Sequence, residues 1–542
     1  MKSPFAAWAV IAGVVVGFAA PAGMAGQEPK KNRQHHLYRL VDLGTLGGPT
    51  STVNEGNGIR FPASSILNNV GRVAAVGDTT IPNLFEGCPD CFVYRAFSSS
   101  GRVPRNLGVL PESATVGSHM PCFDCAWSSW AYWITDNGMV IGQSENNEID
   151  PLTGAPAVYA VAWKAGKIVN LGTLGGNQST AAAANRRGDV VGVALNSSVE
   201  PFPNRWPYLG FLFLGNGTQA RAVLWRKGNV RDLDTLGGPS SIALFVNEDG
   251  QVAGASDVDY ASYATIENPG GGPTIHPFVW HDGVLHDLIT DAPAGMFGGT
   301  YGTVTWMNDR GQITGIMNLT GDRTWRSFLW DRGVVRDLGT LGGILTTSSW
   351  LSETGAVVGK SDVTEICSAC PPNNQKQLHH PFLWKHGVMT DLGLLEGDTA
   401  GAAFSINGHN QIVGRTEVCT KVNVDDSCHA DAYHAFLWEK GSLVNLQTLV
   451  LPGAGLTVDG ANQINDLGEI EGTGLLPNGD RHALLLIPQD RDGGDVEGGN
   501  GNAGVALKQA PSSSLATRDL TARRTLLSPR APGRFGTDVP RP

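Results

Sequence analysis

The sequence predicts an all-β fold, a β-propeller of eight four-stranded blades, and three observations carry that prediction. A phrase of the type Asp337-Leu338-Gly339-Thr340-Leu341-Gly342-Gly343 recurs, with copies starting at Asp42, Asn106, Asn170, Asp232, Asp287, Asp337, Asp391 and Asn445. Between successive copies lie short apolar runs rich in Val, Ile, Leu and aromatics and bounded by turn residues, a strand signal rather than a helical one. The chain also opens on half of a unit and closes on the complementary half.

Each unit of roughly 50 residues holds four such runs, the period and strand count of a propeller blade. We letter them a to d in chain order. Strand a ends at an amide step such as Val246-Asn247, Met307-Asn308, Ile406-Asn407 or Ile464-Asn465. Strand b is the apolar run that closes on Gly77, Gly142, Gly192, Gly254, Gly315, Gly359, Gly414 or Gly472. Strand c is marked by Phe97, Trp163, Trp225, Trp280, Trp330, Trp384 and Trp438, with His482–Leu486 as a copy lacking the aromatic. Strand d leads into the Asp-Leu-Gly step. Turns such as Asp331-Arg332-Gly333 and Asn308-Asp309-Arg310-Gly311 are tight, because glycine can take the positive φ they need.

With these residues the chain resembles the HAF-repeat family of predicted extracellular proteins, named for the His-Ala-Phe that stands here as His434-Ala435-Phe436. The resemblance covers about residues 38–488 and implies an exported repeat protein built as a propeller. It implies no particular activity. Copies 1 and 8 depart from the pattern, with Ser99 and Leu486 where the others have Trp, as suits end blades.

The first segment, 38–46, reads as a strand d with no a, b or c before it, and 482–488 as a strand c with no d after it. Each alone would leave an exposed edge, a liability that native sheets cover. The two are expected to pair antiparallel and close the ring. Ahead of them, Lys2 and the apolar run from Phe5 to Ala20 read as a signal peptide, residues 1–25, followed by a flexible lead, 26–37. Residues 489–542 are Gly-, Asp- and Asn-rich, then Pro-, Ser- and Arg-rich, and read as a disordered tail.

The longest insertions fall between strands b and c, with a smaller set between d and a. Antiparallel strands put both kinds of connection on one face of the ring, and loops on a rigid scaffold are where binding usually resides. A net charge of −11 with no basic stripe argues against a nucleic-acid partner. No other long apolar segment argues for membrane insertion once the signal is removed.

All eight cysteines, Cys88, Cys91, Cys122, Cys125, Cys367, Cys370, Cys419 and Cys428, fall in these insertions. An even count in an exported chain favours disulfides over zinc, bridged within a loop or between neighbouring loops. Among aromatics of the insertions, Trp127, Trp130, Trp206, Tyr208 and Phe211 are the candidate binding residues. The residue before each strand-c motif (Arg95, Tyr159, Arg221, His276, Arg326, His380, His434, His482) repeats in every module and is expected to serve its own blade. The Asp or Asn of the Asp-Leu-Gly step is expected to cap a turn. His-Glu-x-x-His, Gly-x-Ser-x-Gly, phosphate-loop and EF-hand patterns are all missing, so no catalytic residue, metal or cofactor is assigned. The expectation is a monomeric extracellular or periplasmic binding or scaffold protein for a glycan or protein. A hydrolase or lyase with residues drawn from several blades is the alternative.

Overall fold

The computed structural model describes residues 35–489 apart from 54–63, 84–90, 102, 112–115, 117–126, 153, 155, 201–216, 259–273, 369, 371–375, 423–427, 431 and 454. The segments read from the sequence as a signal peptide and a tail, and most of the one read as a flexible lead, therefore lie outside the described residues. Within them the chain forms eight four-stranded antiparallel sheets arranged as an eight-bladed propeller.

Blade 1 comprises Gly47–Thr52, Val73–Pro82, Phe92–Ser99 and Arg105–Asn106. Blade 2 comprises Ser129–Ile134, Val140–Ile149, Pro156–Lys164 and Lys167–Asn170; blade 3, Gly175–Ala184, Val190–Val199, Thr218–Arg226 and Asn229–Asp232. Blade 4 is Ser241–Val246, Val252–Asp257, Ile275–His281 and Val284–Asp287; blade 5, Gly302–Met307, Ile313–Asn318, Trp325–Asp331 and Val334–Asp337. Blade 6 is Thr346–Leu351, Val357–Ile366, Gln377–Lys385 and Val388–Asp391; blade 7, Ala400–Ile406, Ile412–Glu417, Tyr433–Glu439 and Ser442–Asn445. Blade 8 joins Thr457–Ile464, Ile470–Leu475 and Arg481–Gln489 to the first strand of the chain, Leu37–Asp42.

That last pairing closes the ring as the sequence predicts. Leu40 faces Leu486 and Val41 faces Leu485, and the Leu43 N–H donates to the Ala483 carbonyl at 3.0 Å. A second closure was not legible. Besides Gly47–Thr52, Ile66 and Leu67 lie along the second strand of blade 1, the Ala74 N–H donating to the Ile66 carbonyl at 2.8 Å and Leu67 pairing with Val73. There Gln463 of blade 8 accepts from the Ile66 and Leu67 N–H groups at 2.9 and 3.0 Å and donates to the Leu67 carbonyl at 2.8 Å. A side chain from the last blade thus bonds the backbone of the first.

The strand-c tryptophans sit opposite the first residue of strand b, as in Val140↔Trp163, Val252↔Trp280 and Ile313↔Trp330. Trp163, Trp225, Trp280, Trp330 and Trp384 are buried, whereas Trp438 is only half-buried. The glycine of strand b has a steric cause. In the innermost strands of blades 2 to 8 the register shifts by one residue near the turn, a β-bulge. The bulge pushes a carbonyl toward strand b: a Cβ on Gly315 would lie 2.2 Å from the Thr303 oxygen, and one on Gly472 2.0 Å from the Gly460 oxygen. Blade 1 departs from the motif reading, since Ala75 rather than Gly77 stands opposite Phe97.

The insertions are partly strand. In blades 1, 2, 3 and 6 strand b runs for 10 residues and its hairpin with strand c continues past a register irregularity. These hairpins project from the loop face as arms. Blade 7 adds a short ribbon in which Val422 pairs with Cys428.

Candidate functional site

The most repeated residues prove to be scaffold. In all eight copies the Asp or Asn of the Asp-Leu-Gly step accepts from the backbone N–H two positions on, from Asp42 with Gly44 to Asn445 with Gln447. The Thr of the motif donates to the last glycine's carbonyl, as in Thr340 to Gly343 at 2.9 Å. That glycine abuts strand b, where a Cβ on Gly343 would lie 2.4 Å from the Asp362 Cβ.

The cationic position before strand c is tied to the same carboxylates. His276 Nδ1 lies 2.7 Å from Asp287, His380 Nδ1 2.8 Å from Asp391, and His482 Nδ1 2.9 Å from Asp42. Arg221 spans Asp232 and Asp234, and Arg326 stands 3.9 Å from Asp337. Each pair belongs to one blade, so this ring braces strands c and d. Blades 2 and 7, whose motifs carry Asn170 and Asn445, differ: Tyr159 donates to Glu148 of strand b, and His434 turns to Asp398, which precedes strand a.

The axis is filled at the tight-turn end. Trp306 and Trp350 stack with ring centroids 3.6 Å apart, and Phe245 lies 5.3 Å from Trp306. Trp133 reaches Trp306 at 5.8 Å although blades 2 and 5 are not neighbours, so these side chains meet at the centre of the ring. All four project from the bulge of their innermost strands, two positions before the turn residue. Sequence reasoning missed them because they are spread over four repeats and nothing local marks them.

Around that plug the turns link blade to blade. Asn465 Nδ2 donates to the Asn68 carbonyl, Asn185 Nδ2 to that of Asn247 and Asn308 Nδ2 to that of Ser352, each at 3.0 Å. The next backbone N–H meets a carboxylate of the following blade, as Glu248 meets Asp309 and Asp309 meets Glu353. Burial pushes the Asp309 and Glu353 carboxyls up, and the neighbouring carboxylates Glu248 and Asp309 respectively add to it.

Trp127 precedes strand a of blade 2, whereas Trp130 belongs to that strand, paired with Gln143, rather than to an insertion; both are half-buried, and Trp130 lies 6.4 Å from the Tyr94 ring. Trp206, Tyr208 and Phe211 lie outside the described residues, as do Cys88, Cys122 and Cys125. Cys91 is buried and disulfide-bonded.

The chemically densest place is where blades 6 and 7 meet under their arms. Cys367 and Cys370 form a disulfide, and Cys419 from blade 7 is disulfide-bonded as well. The three Sγ atoms lie within 4.8 Å of one another and are buried beside Val363, Leu378 and Ala400.

Beside them, His379 of blade 6 faces Glu417 of blade 7, Nε2 to Oε1 3.8 Å, both nearly inaccessible. Burial pushes the Glu417 carboxyl up and the His379 imidazole well down, the latter helped by Lys360 and Arg415. Arg415 Nε stands 3.7 Å from Glu417 Oε2, which has no hydrogen-bond partner among the described residues. In blades 1, 2 and 4 the acid at the corresponding place, Asp78, Glu145 or Asp257, accepts from the backbone N–H of Thr50 within strand a or of Ser128 or Ser240 just ahead of it. In blade 7, Thr399 N–H bonds the Glu417 carbonyl instead.

No family model and no curated protein matches the chain. Among solved structures it is similar to a puromycin-hydrolyzing peptidase of Mycobacterium tuberculosis, at 11% identity over 84% of this chain and 64% of that one, with a TM-score of 0.38. It is also similar to dipeptidyl peptidase 4 of Porphyromonas gingivalis, at 10% identity over 74% and 56% with a TM-score of 0.39. A third is TolB of Acinetobacter baumannii, at 14% identity over 58% and 61% with a TM-score of 0.27. The chain spans less than two thirds of the length of each, and the account of the fold stands on its own strand pairing. Among the described residues, no helix is long and apolar enough to cross a membrane.

Proposed function

We propose that this chain is an exported binding or scaffold propeller of the HAF-repeat kind, which engages an extracellular glycan or protein through its long-loop face. One observation carries the reading. The Asp or Asn of every repeat is engaged in its own turn, while the arms that differ from blade to blade all stand on one face. Variable arms on an invariant ring are the arrangement of a recognition surface. The plugged axis supports it, since it leaves the arms as the relief on which a ligand would be distinguished. Export rests on the N-terminal apolar run and agrees with buried disulfide-bonded cysteines.

The second reading, an exported hydrolase or lyase, is favoured by one site. His379 and Glu417 are a carboxyl–imidazole pair shifted in opposite directions by burial, the kind of perturbation that acid–base chemistry uses. A glycan array run beside a broad hydrolase screen on the mature protein separates the two. Saturable binding without turnover supports the first. Turnover abolished by Glu417→Gln with the fold intact supports the second.

A further inference from the structure

We propose that the arms of blades 6 and 7 carry an exchangeable disulfide: an external thiol frees Cys367 from Cys370, and Cys367 then bonds Cys419 and locks the two blades together. The Cys367–Cys370 bridge joins positions with a separation of 3 and holds nothing to blade 7. Cys419 is disulfide-bonded on its own account. Local bridging does not require the two bonds to meet, yet the three Sγ atoms lie within 4.8 Å of one another. The Cys367 Sγ also stands 3.5 Å from the Cys419 carbonyl oxygen, so the two blades touch at this point.

Exchange needs a thiolate placed against a disulfide sulfur. A Cys367 thiolate has the Cys419 Sγ as its neighbour, and closing that gap to the roughly 2.0 Å of an S–S bond is the work of side-chain rotation. The backbone is anchored meanwhile. The Cys367 N–H donates to the Lys376 carbonyl at 2.9 Å, that of Cys370 to the Cys367 carbonyl at 3.2 Å, and that of Cys419 to Thr399 Oγ1 at 2.9 Å. All three cysteines are buried, with Val363, Leu378 and Ala400 packed around them, so a thiolate released there meets Cys419 before it meets solvent. The new bridge also constrains more, since it spans 52 positions rather than 3 and removes more freedom from the unfolded chain.

The exchange balances without an oxidant. The external thiolate attacks the Cys370 Sγ and forms a mixed disulfide, and the Cys367–Cys370 bond breaks with its electron pair on Cys367. The Cys367 thiolate then attacks the Cys419 Sγ. The bond from Cys419 to its former partner breaks, and that partner leaves as a thiolate and takes up the proton lost by the external thiol. Two disulfides and one thiol enter, and two disulfides and one thiol remain.

The test uses the full oxidised chain, incubated with glutathione, quenched in acid, alkylated and mapped by mass without reduction. The expected result is a Cys367–Cys419 cross-linked peptide that rises in step with a glutathione adduct on Cys370. Tryptophan fluorescence marks the glutathione range in which the ring stays folded, and no such cross-link anywhere in that range overturns the proposal. Cys370→Ser, purified without added thiol, removes the need for a trigger, and there Cys367 should already be bonded to Cys419. Cys367 found alkylated in the folded variant overturns the proposal as well. Should the variant fail to fold, the wild-type map decides alone.

Discussion

His482 Nδ1 lies 2.9 Å from Asp42 Oδ1, so side chains 440 positions apart clasp the first strand of the chain to the last. The hydrogen bond to Asp42, opposed by partial burial and aided by the carboxylate's charge, raises the His482 pKa above its ordinary value. A folded-state pKa above the unfolded one contributes stability in full below about pH 6.5, and loses it as pH rises through the folded value. Melting temperature should therefore decline over that window, and the decline should flatten in His482→Gln. Asp42→Asn should do the same while keeping the cap on Gly44, since Asn106, Asn170 and Asn445 cap their turns in other blades. Identical pH profiles for wild type and both variants would refute the clasp.

Deleting residues 37–42 should destabilise the ring as a whole rather than one blade. It exposes the full edge of Arg481–Gln489 and uncovers Leu484 and Leu486, which are now buried. The expected outcome is a lower melting temperature together with self-association on size exclusion, because an unpaired apolar edge templates another chain. A monomer melting as wild type would show that the closure contributes nothing.

Gly315→Ala should cost about 1–3 kcal/mol, the range for overpacking a filled interior. The new Cβ would sit 2.2 Å from the Thr303 oxygen and 2.7 Å from Phe328 Cζ. The first of these is backbone, so strand a itself must move. Gly101→Ala, with open space at its Cβ, is the control, and equal denaturant midpoints for the two variants would contradict the bulge argument.

The repeat made the blades legible because each blade must satisfy the same needs within itself. Asp337, Thr340 and Gly343 recur as a phrase because a cap, a turn and a close approach to strand b recur with them. The closing pair 37–42 and 481–489 was legible because two incomplete units fit each other. What stayed hidden was whatever joins different blades. Nothing near Trp133 says that it meets Trp306, and nothing near His379 says that Glu417 faces it. Gln463 looks like any strand residue until it is seen to accept from the Ile66 and Leu67 N–H groups of blade 1. The candidate site is of this inter-blade kind, so residue identity could nominate its cysteines without showing which of them meet.

Trp330→Ala should cost about 3–5 kcal/mol, the usual range for emptying a buried aromatic site. The milder Trp330→Phe isolates one bond, from the indole N–H to Asp291 Oδ2 at 2.7 Å. Burial alone would raise the Asp291 pKa, but the hydrogen bonds from Trp330 and His286 outweigh it and the net shift is downward. A lowered carboxyl pKa contributes stability above its unfolded value, about 3.9, and loses it as pH falls through the folded one. The Trp330→Phe penalty should accordingly shrink in acid. A penalty constant from neutral to acid pH would mean that the bond does not shift Asp291.

The axial plug gives the test least dependent on any single blade. Trp306→Ala removes contacts with Trp350, Phe245 and Trp133 at once and should cost about 3–5 kcal/mol. The sharper measurement is the coupling between Trp306 and Trp133. Residues of non-neighbouring blades share no sheet, turn or inter-blade seam, so their alanine effects should simply add unless the side chains meet at the centre. With centroids 5.8 Å apart, the rings should couple by about 0.5–1.5 kcal/mol in a double-mutant cycle. Trp133 paired with Trp438, a half-buried strand-c residue of blade 7, serves as the additive reference. Additivity in both pairs would mean that the axis is open in solution. Coupling confined to Trp306 and Trp133 places the indoles across the axis, where residues of non-neighbouring blades meet.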